Sequence, residues 1–369
     1  MSYADLPGYN YFVLKFSNFV RGFLIIISIV LLILLMSASN WLPLNRMISQ
    51  AQTAIETGNY LSASLSLAQA AHYSHEKSAL LERAGQFAYQ AGDTITAQYY
   101  LMQVFASNEM SREGLILLGD ISRQHGEPEE AGKFWEAANE IHEDGETYLK
   151  LRKIYQQGGD WDKAISNQRK LVKLDPNDAD NAYQLGLMLA AIEPEASLAY
   201  LALAGELDAS RKPTTNSLVR NLRSAINRSD EFYPFMVAGQ ELAALGEWEL
   251  ALQAFTNAVE LGSGSSDAWA YLGEARYQLG GDGNKELEKA VELDPGSIAA
   301  NTLLALHWQR RERYDLALVY LYAAADADSD NPALHAEIGN ALALMGNLPA
   351  AEVHYRLATK LDPNNTIYW

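Results

Sequence analysis

The stretch GNLPAAEVHYRLATKLDPNN, residues 346–365, decides how the rest of the chain is read. It offers a turn glycine, Gly346, then Ala351, Tyr355 and Ala358 at helical spacing, then Pro363 as a stop. Stepping back 34 residues from Ala351 lands on Ala317 in RYDLALVYLYAAADADSDN. The same order of small and aromatic residues returns as Gly246, Ala251, Phe255 and Ala258, and as Gly126, Ala131, Trp135 and Ala138. Weaker copies carry Gly159, Ala164 and Pro176, then Gly92 and Ala97, then Gly58, Ala63 and Ala70.

The segment before each copy repeats too. LLGD, QLGL, YLGE and EIGN place Gly119, Gly186, Gly273 and Gly339 in one register. A small residue there lets two helices approach closely, while Trp135, Phe255 or Tyr355 fills the space against the next pair. This pattern resembles the tetratricopeptide repeat family, in which a large residue and Leu-Gly mark a first helix and Ala, an aromatic, Ala and Pro mark a second. The resemblance covers nearly everything from residue 44 onward. It implies an all-α superhelical solenoid of about nine helix-turn-helix repeats, because each pair buries its apolar face only by stacking on a neighbour.

In this register the repeats start at Leu44, Ser78, Arg112, Gly145, Ala179, Phe232, Ser266, Ile298 and Pro332. Five occupy residues 44–208 and four occupy 232–365, with a four-residue tail, 366–369. In the seventh, GGDGNKELEKAVELDP predicts an inter-helix turn about two residues short. The fifth lacks its turn glycine and precedes an insertion, residues 209–231, which is the one basic patch. There Leu218, Leu222 and Ile226 share a helix face, with Arg220, Arg223 and Arg228 elsewhere on the helix. That spacing suits an extra packed helix, a docking element for an acidic partner, or both.

Nothing between Arg21 and Arg46 is charged, and Phe23–Met36 is almost unbroken Leu, Ile and Val. Residues 20–42 are therefore expected to form a transmembrane helix, following an aromatic-rich segment, 1–19. Ser37-Ala38-Ser39 offers the small residues of a signal-peptidase site, but the long aromatic leader favours retention. Lys15 and Arg21 before the span, against Arg46 after it, predict a cytoplasmic N-terminus and a periplasmic or extracytoplasmic body.

Charge and composition narrow the function. Asp5 against Lys15 and Arg21 leaves +1 on residues 1–43, so a whole-chain charge of −18 puts −19 on the rest. Such a body is repelled by phosphate backbones, so no nucleic acid is expected as partner. The absence of cysteine rules out disulfides, thiolate metal sites and a Cys nucleophile. GGDGNK, residues 280–285, lacks the strand before it and the Ser or Thr after it that a phosphate loop needs. Asp326, Asp328, Asp330 and Glu337 match the spacing of a calcium loop, but Asn331 replaces its glycine and precedes Pro332, which favours an inter-repeat turn. No catalytic constellation, cofactor or small-molecule substrate is expected.

What remains is protein recognition. In the family resembled, ligands lie along the face made by the first helices. Here that face would include Tyr89, Gln90, Arg123, Lys153, Gln157, Tyr183, Gln240, Tyr271, Tyr277 and Arg310. Glutamine and tyrosine dominate, a mix that hydrogen-bonds extended backbone and packs flat surfaces. Arg220, Arg223, Arg228, Tyr368 and Trp369 are a second candidate surface. The resulting expectation is a non-catalytic, membrane-anchored scaffold, an accessory or assembly subunit of a membrane protein complex. The alternative is a periplasmic chaperone-like or secretion-linked receptor for transient clients.

Overall fold

Short polar side chains cap several helix starts, and residues with positive φ follow most of the first helices of the hairpins. Asp93 accepts from the Thr96 N–H at 3.0 Å, Asp144 from Thr147 at 3.0 Å and Asp178 from Asn181 at 3.0 Å, each satisfying a first-turn donor. The turns inside the hairpins hold Gly58, Gly92, Gly126, Gly159, Gly246 and Gly346 at φ of 72 to 82°. Left-handed backbone there reverses the chain within three residues, and a side chain would strain it.

The computed structural model describes residues 26–30 and 41–365, and every regular element among them is α-helical. The expected aromatic leader, residues 20–25 and 31–40 of the expected span, Tyr368 and Trp369 lie outside the described residues. Residues 26–30 are helical and exposed. Among the described residues no helix is long and apolar enough to cross a membrane.

The first compact unit ends at Ala164. It contains α1 (41–56) with α2 (Tyr60–Ala71), α3 (Lys77–Gln90) with α4 (Thr94–Ala106), α5 (Arg112–Gln124) with α6 (Pro128–Ile141), and α7 (Gly145–Gln157). Helix α8 (Trp161–Leu174) carries the division between units. One cluster joins Leu67, Leu81 and Val104 from α2, α3 and α4. Another joins Leu101, Leu118 and Phe134 from α4, α5 and α6. Each such side chain, fully buried, contributes about 1.5–3 kcal/mol.

The second unit begins at Ile165. It holds α9 (Ala179–Ile192), α10 (Pro194–Leu207) and α11 (Lys212–Ile226). The hairpins α12 (Tyr233–Ala244) with α13 (Trp248–Leu261), α14 (Ser266–Gln278) with α15 (Asn284–Leu293), α16 (Ile298–Gln309) with α17 (Tyr314–Ala327), and α18 (Pro332–Leu344) with α19 (Leu348–Leu361) follow. Helix α11 is the insertion; it packs on α10 and α12 through Leu218, Leu222 and Ala225. A single residue, Glu193, joins α9 to α10, and α9 also contacts α12 and α13. Seven successive residues of α9, Leu185 to Ala191, are buried, and Asn257 of α13 donates to the Ala191 carbonyl at 2.9 Å. A helix apolar all round is a core helix.

The seventh hairpin corrects the expectation of a shortened turn. The turn runs over residues 279–283, and it is α15 that is short, 10 residues against 14 in α13, α17 and α19. Gly283, at φ 68°, sits so close to the Gly273 carbonyl that a Cβ would collide with it.

Candidate functional site

Consecutive first helices are laced by side-chain rungs. In the first unit Gln124 of α5 donates through Nε2 to the Tyr89 hydroxyl of α3 at 3.0 Å. Lys150 of α7 donates through Nζ to both Asp120 oxygens of α5, at 2.8 and 2.9 Å. Near the helix starts, Glu82 of α3 accepts the Ser111 N–H at 3.0 Å and also its hydroxyl, fixing the cap of α5. These contacts join residues about one repeat apart, which is how side chains on parallel first helices meet.

Tyr89, Asp120, Arg123, Gln124 and Lys150 together line a groove of about 420 Å³. Asp120 holds the ammonium of Lys150, but Arg123 is exposed and has no ion-pair partner among the described residues. Lys153 is likewise exposed and without an ion-pair partner among the described residues, but it does not line this groove. The groove therefore offers a free guanidinium, a phenol and an amide beside a fixed lysine, on a body that is otherwise strongly acidic. Sequence reasoning placed Tyr89 and Arg123 at this site and left out Asp120. A signal existed: Asp120 lies 30 positions before Lys150, close to one repeat. Gln90 and Gln157 are exposed but do not line this groove.

In the second unit the first-helix charges are largely consumed. Glu274 of α14 takes both terminal nitrogens of Arg310, at the end of α16, at 2.7 and 2.8 Å. Arg310 also lies 4.2 Å from the Tyr277 ring centroid. The hydrogen bonds from Glu274 hold the guanidinium more firmly protonated than usual. Gln309 donates to Glu337 at 3.2 Å. Tyr271 stacks on Phe255, with ring centroids 5.4 Å apart, and lines a groove of about 690 Å³ with Asp267, Ser297, Thr302 and Glu337. Tyr183 is half-covered: the Arg211 guanidinium sits 4.8 Å over its ring, so the insertion's entry occupies the face expected to be open. Gln240 is exposed.

On the insertion, Arg220 and Arg223 are exposed, while Arg228 packs 4.1 Å over the Tyr233 ring. The aspartates matching a calcium loop straddle the end of α17 and a turn. Asn331 has extended backbone before Pro332 and caps α18 by accepting from Ala333, while Glu337 lies inside that helix. Among the described residues no group of three or more His, Cys, Asp or Glu is placed to hold a metal ion.

These features define a class: all-α proteins built of stacked helical hairpins with a polar, laterally braced first-helix face. Two family models, each described as Tetratricopeptide repeat, match residues 145–178 and 236–298. The hairpins over those ranges are similar to tetratricopeptide repeats, modules that typically bind proteins rather than catalyse. Protein bimA of Emericella nidulans is 31% identical over 105 residues, 28% of this chain. The match spans 13% of that relative's length. Among solved structures, YrrB, titled a TPR protein with an unusual peptide-binding site, is 19% identical over 55% of this chain and 95% of its own, with a TM-score of 0.34. MamA from Desulfovibrio magneticus RS-1 is 18% identical over 51% of this chain and 97% of its own, with a TM-score of 0.34.

Proposed function

We propose that this protein is a non-catalytic interaction scaffold held at a membrane by residues 20–42, and that it serves as an accessory or assembly subunit of a membrane protein complex. Its first unit engages an extended segment of a protein partner along the groove of Tyr89, Arg123, Gln124 and Lys150. The observation that carries this reading is the unspent guanidinium of Arg123 in one groove with a braced tyrosine, with the unpaired Lys153 on the next first helix, on a body of charge −19. A partner segment bearing carboxylates gains charge-assisted hydrogen bonds there, and rungs formed in advance lower the cost of ordering the site. The uncharged run from Gly22 to Asn45 supports the anchor, and the cations flanking it favour an extracytoplasmic body.

The test is recovery of partners with the full chain from detergent extracts. Arg123→Glu with Lys153→Glu reverses two charges, and like-charge juxtaposition costs several kcal/mol, so recovery of a stoichiometric partner should fall by about tenfold or more. Recovery unaffected by the double reversal, with helicity intact, refutes the groove. Sub-stoichiometric recovery of many salt-sensitive peptides would replace the complex subunit with a client receptor.

A further inference from the structure

Two of the second helices differ from all the others. Helices α2 and α4 contain no Asp, Glu, Lys or Arg, whereas α6, α8, α10, α13, α15, α17 and α19 each contain at least two. The missing charge is replaced by exposed apolar side chains. On α4, Ile95, Tyr99 and Met102 stand 77%, 64% and 42% exposed at i, i+4 and i+7, while Ala97, Leu101 and Val104 fill the buried side. On α2, Leu61 and Leu65 are 46% and 47% exposed, opposite buried Ala63 and Leu67. A helix apolar on both sides is covered on both sides in its working state.

The place of these helices says what covers them. Both pack on α3, and they share one core cluster with Leu44, Met47 and Ala51 of α1. Helix α1 begins inside the uncharged run that starts at Gly22 and carries the chain out of it. The two neutral second helices are thus those nearest the proposed anchor, and the charged ones begin beyond them. Tyr60 and Tyr99 add amphipathic rings of the kind that settle at a lipid–water boundary.

We infer that the outer face of α2 and α4 is a lipid-docking surface that rests on the headgroup layer of the bilayer. This inference rests on the reading that residues 20–42 cross that bilayer. The acidic body is repelled by anionic lipids, so a zwitterionic surface is the one this neutral face fits.

The chain has no cysteine, so a single probe can be placed cleanly. Tyr99→Cys on α4 and Glu140→Cys on α6, each labelled with bimane in the full chain, are reconstituted into phosphatidylcholine vesicles carrying headgroup nitroxides. Quenching should be several-fold stronger at 99 than at 140. Adding Ile95→Glu and Met102→Glu to Tyr99→Cys should abolish the difference while the chain still floats with the vesicles. Flotation with equally weak quenching at both sites overturns the docking surface and leaves the anchor standing. Shielding at 99 that needs an added protein overturns it in favour of a protein contact. Failure to float overturns the anchor itself, and the docking surface with it.

Discussion

Gly119→Ala sets local propensity against packing. Gly119 lies in the interior of α5, where alanine is the better helix former by about 1 kcal/mol, so propensity alone predicts stabilisation. The structure predicts the opposite. A Cβ at 119 would lie 2.5 Å from Nε1 and 2.6 Å from Cδ1 of Trp135, whereas ordinary contact begins near 3.4 Å, so the indole must retreat by about 0.9 Å. Trp135 is completely buried, and its Nε1 donates to the Ile116 carbonyl at 3.3 Å, so it has neither room nor freedom to move. Overpacking costs about 1–3 kcal/mol and a strained hydrogen bond about 1 more, which outweighs the propensity gain. The net expectation is destabilisation by about 1–3 kcal/mol. Stacked repeats open locally, so amide exchange across 112–141 is a better assay than a single melting temperature. Exchange there should accelerate about 5- to 150-fold. Gly264→Ala, with nothing within 4 Å of the new atom, is the control and should be neutral or slightly stabilising. Adding Trp135→Phe to Gly119→Ala should cost less than the two changes separately. Exchange that is unchanged or slower in Gly119→Ala refutes the close-approach reasoning.

Three further predictions concern the second unit. Glu312 occupies φ 60° at the turn position where Gly346, 34 residues later, sits at 80°, so Glu312→Gly should stabilise by about 0.5–1 kcal/mol in urea titrations, and a loss of stability would count against the strained turn. Glu274→Gln leaves the Arg310 guanidinium short of its carboxylate, with only 22% of its side chain exposed, and should cost about 2–4 kcal/mol, read as faster exchange over 266–309. Burial holds His307 and His354 below the usual imidazole range, with Arg311 adding to the effect at His307 and His335 at His354, against an opposing pull from Asp282 at His307. A depressed folded value means stability that is complete above the unfolded value of 6.5 and lost as pH falls below it. Protection of 298–361 should fall between about pH 7 and 5, above the range where depressed carboxylates such as Asp315 titrate, and His354→Gln should flatten part of that slope.

The helical hairpins were legible because their geometry leaves little choice of residue. Glycine is favoured where φ is left-handed, and a small residue is needed where Trp135, Phe255 or Tyr355 presses on the first helix 16 positions earlier. Such constraints leave the same letters at each repeat. The fate of α9 was not legible, because QLGLMLAAI reads as an ordinary first helix and its burial on all sides follows from α12 and α13 reaching it past the insertion. Shortening of α15 was misread as a short turn, since deleting residues from either leaves the same count. Tyr183 was assigned to an open face by register alone, and only the position of Arg211 shows it covered. Side-chain pairing between repeats was the main blind spot at the site. Arg310 was singled out as a binding cation, yet Glu274, 36 positions earlier, already neutralises it.

That neutralisation bears on specificity. Both units lace their first helices, but they differ in what the lacing leaves over. In the second unit, Glu274 and Arg310 satisfy one another, and Gln309 takes up Glu337, so the charged rungs there are spent on bracing. In the first unit, Asp120 is matched by Lys150, while Arg123 and Lys153 remain unmatched on neighbouring first helices. Bracing lowers the entropic cost of binding without choosing the ligand; the unmatched groups choose it. On the proposed reading, a segment recognised at that face brings its own negative charge, close enough to Tyr89 and Gln124 for backbone or side-chain hydrogen bonds to fix its register.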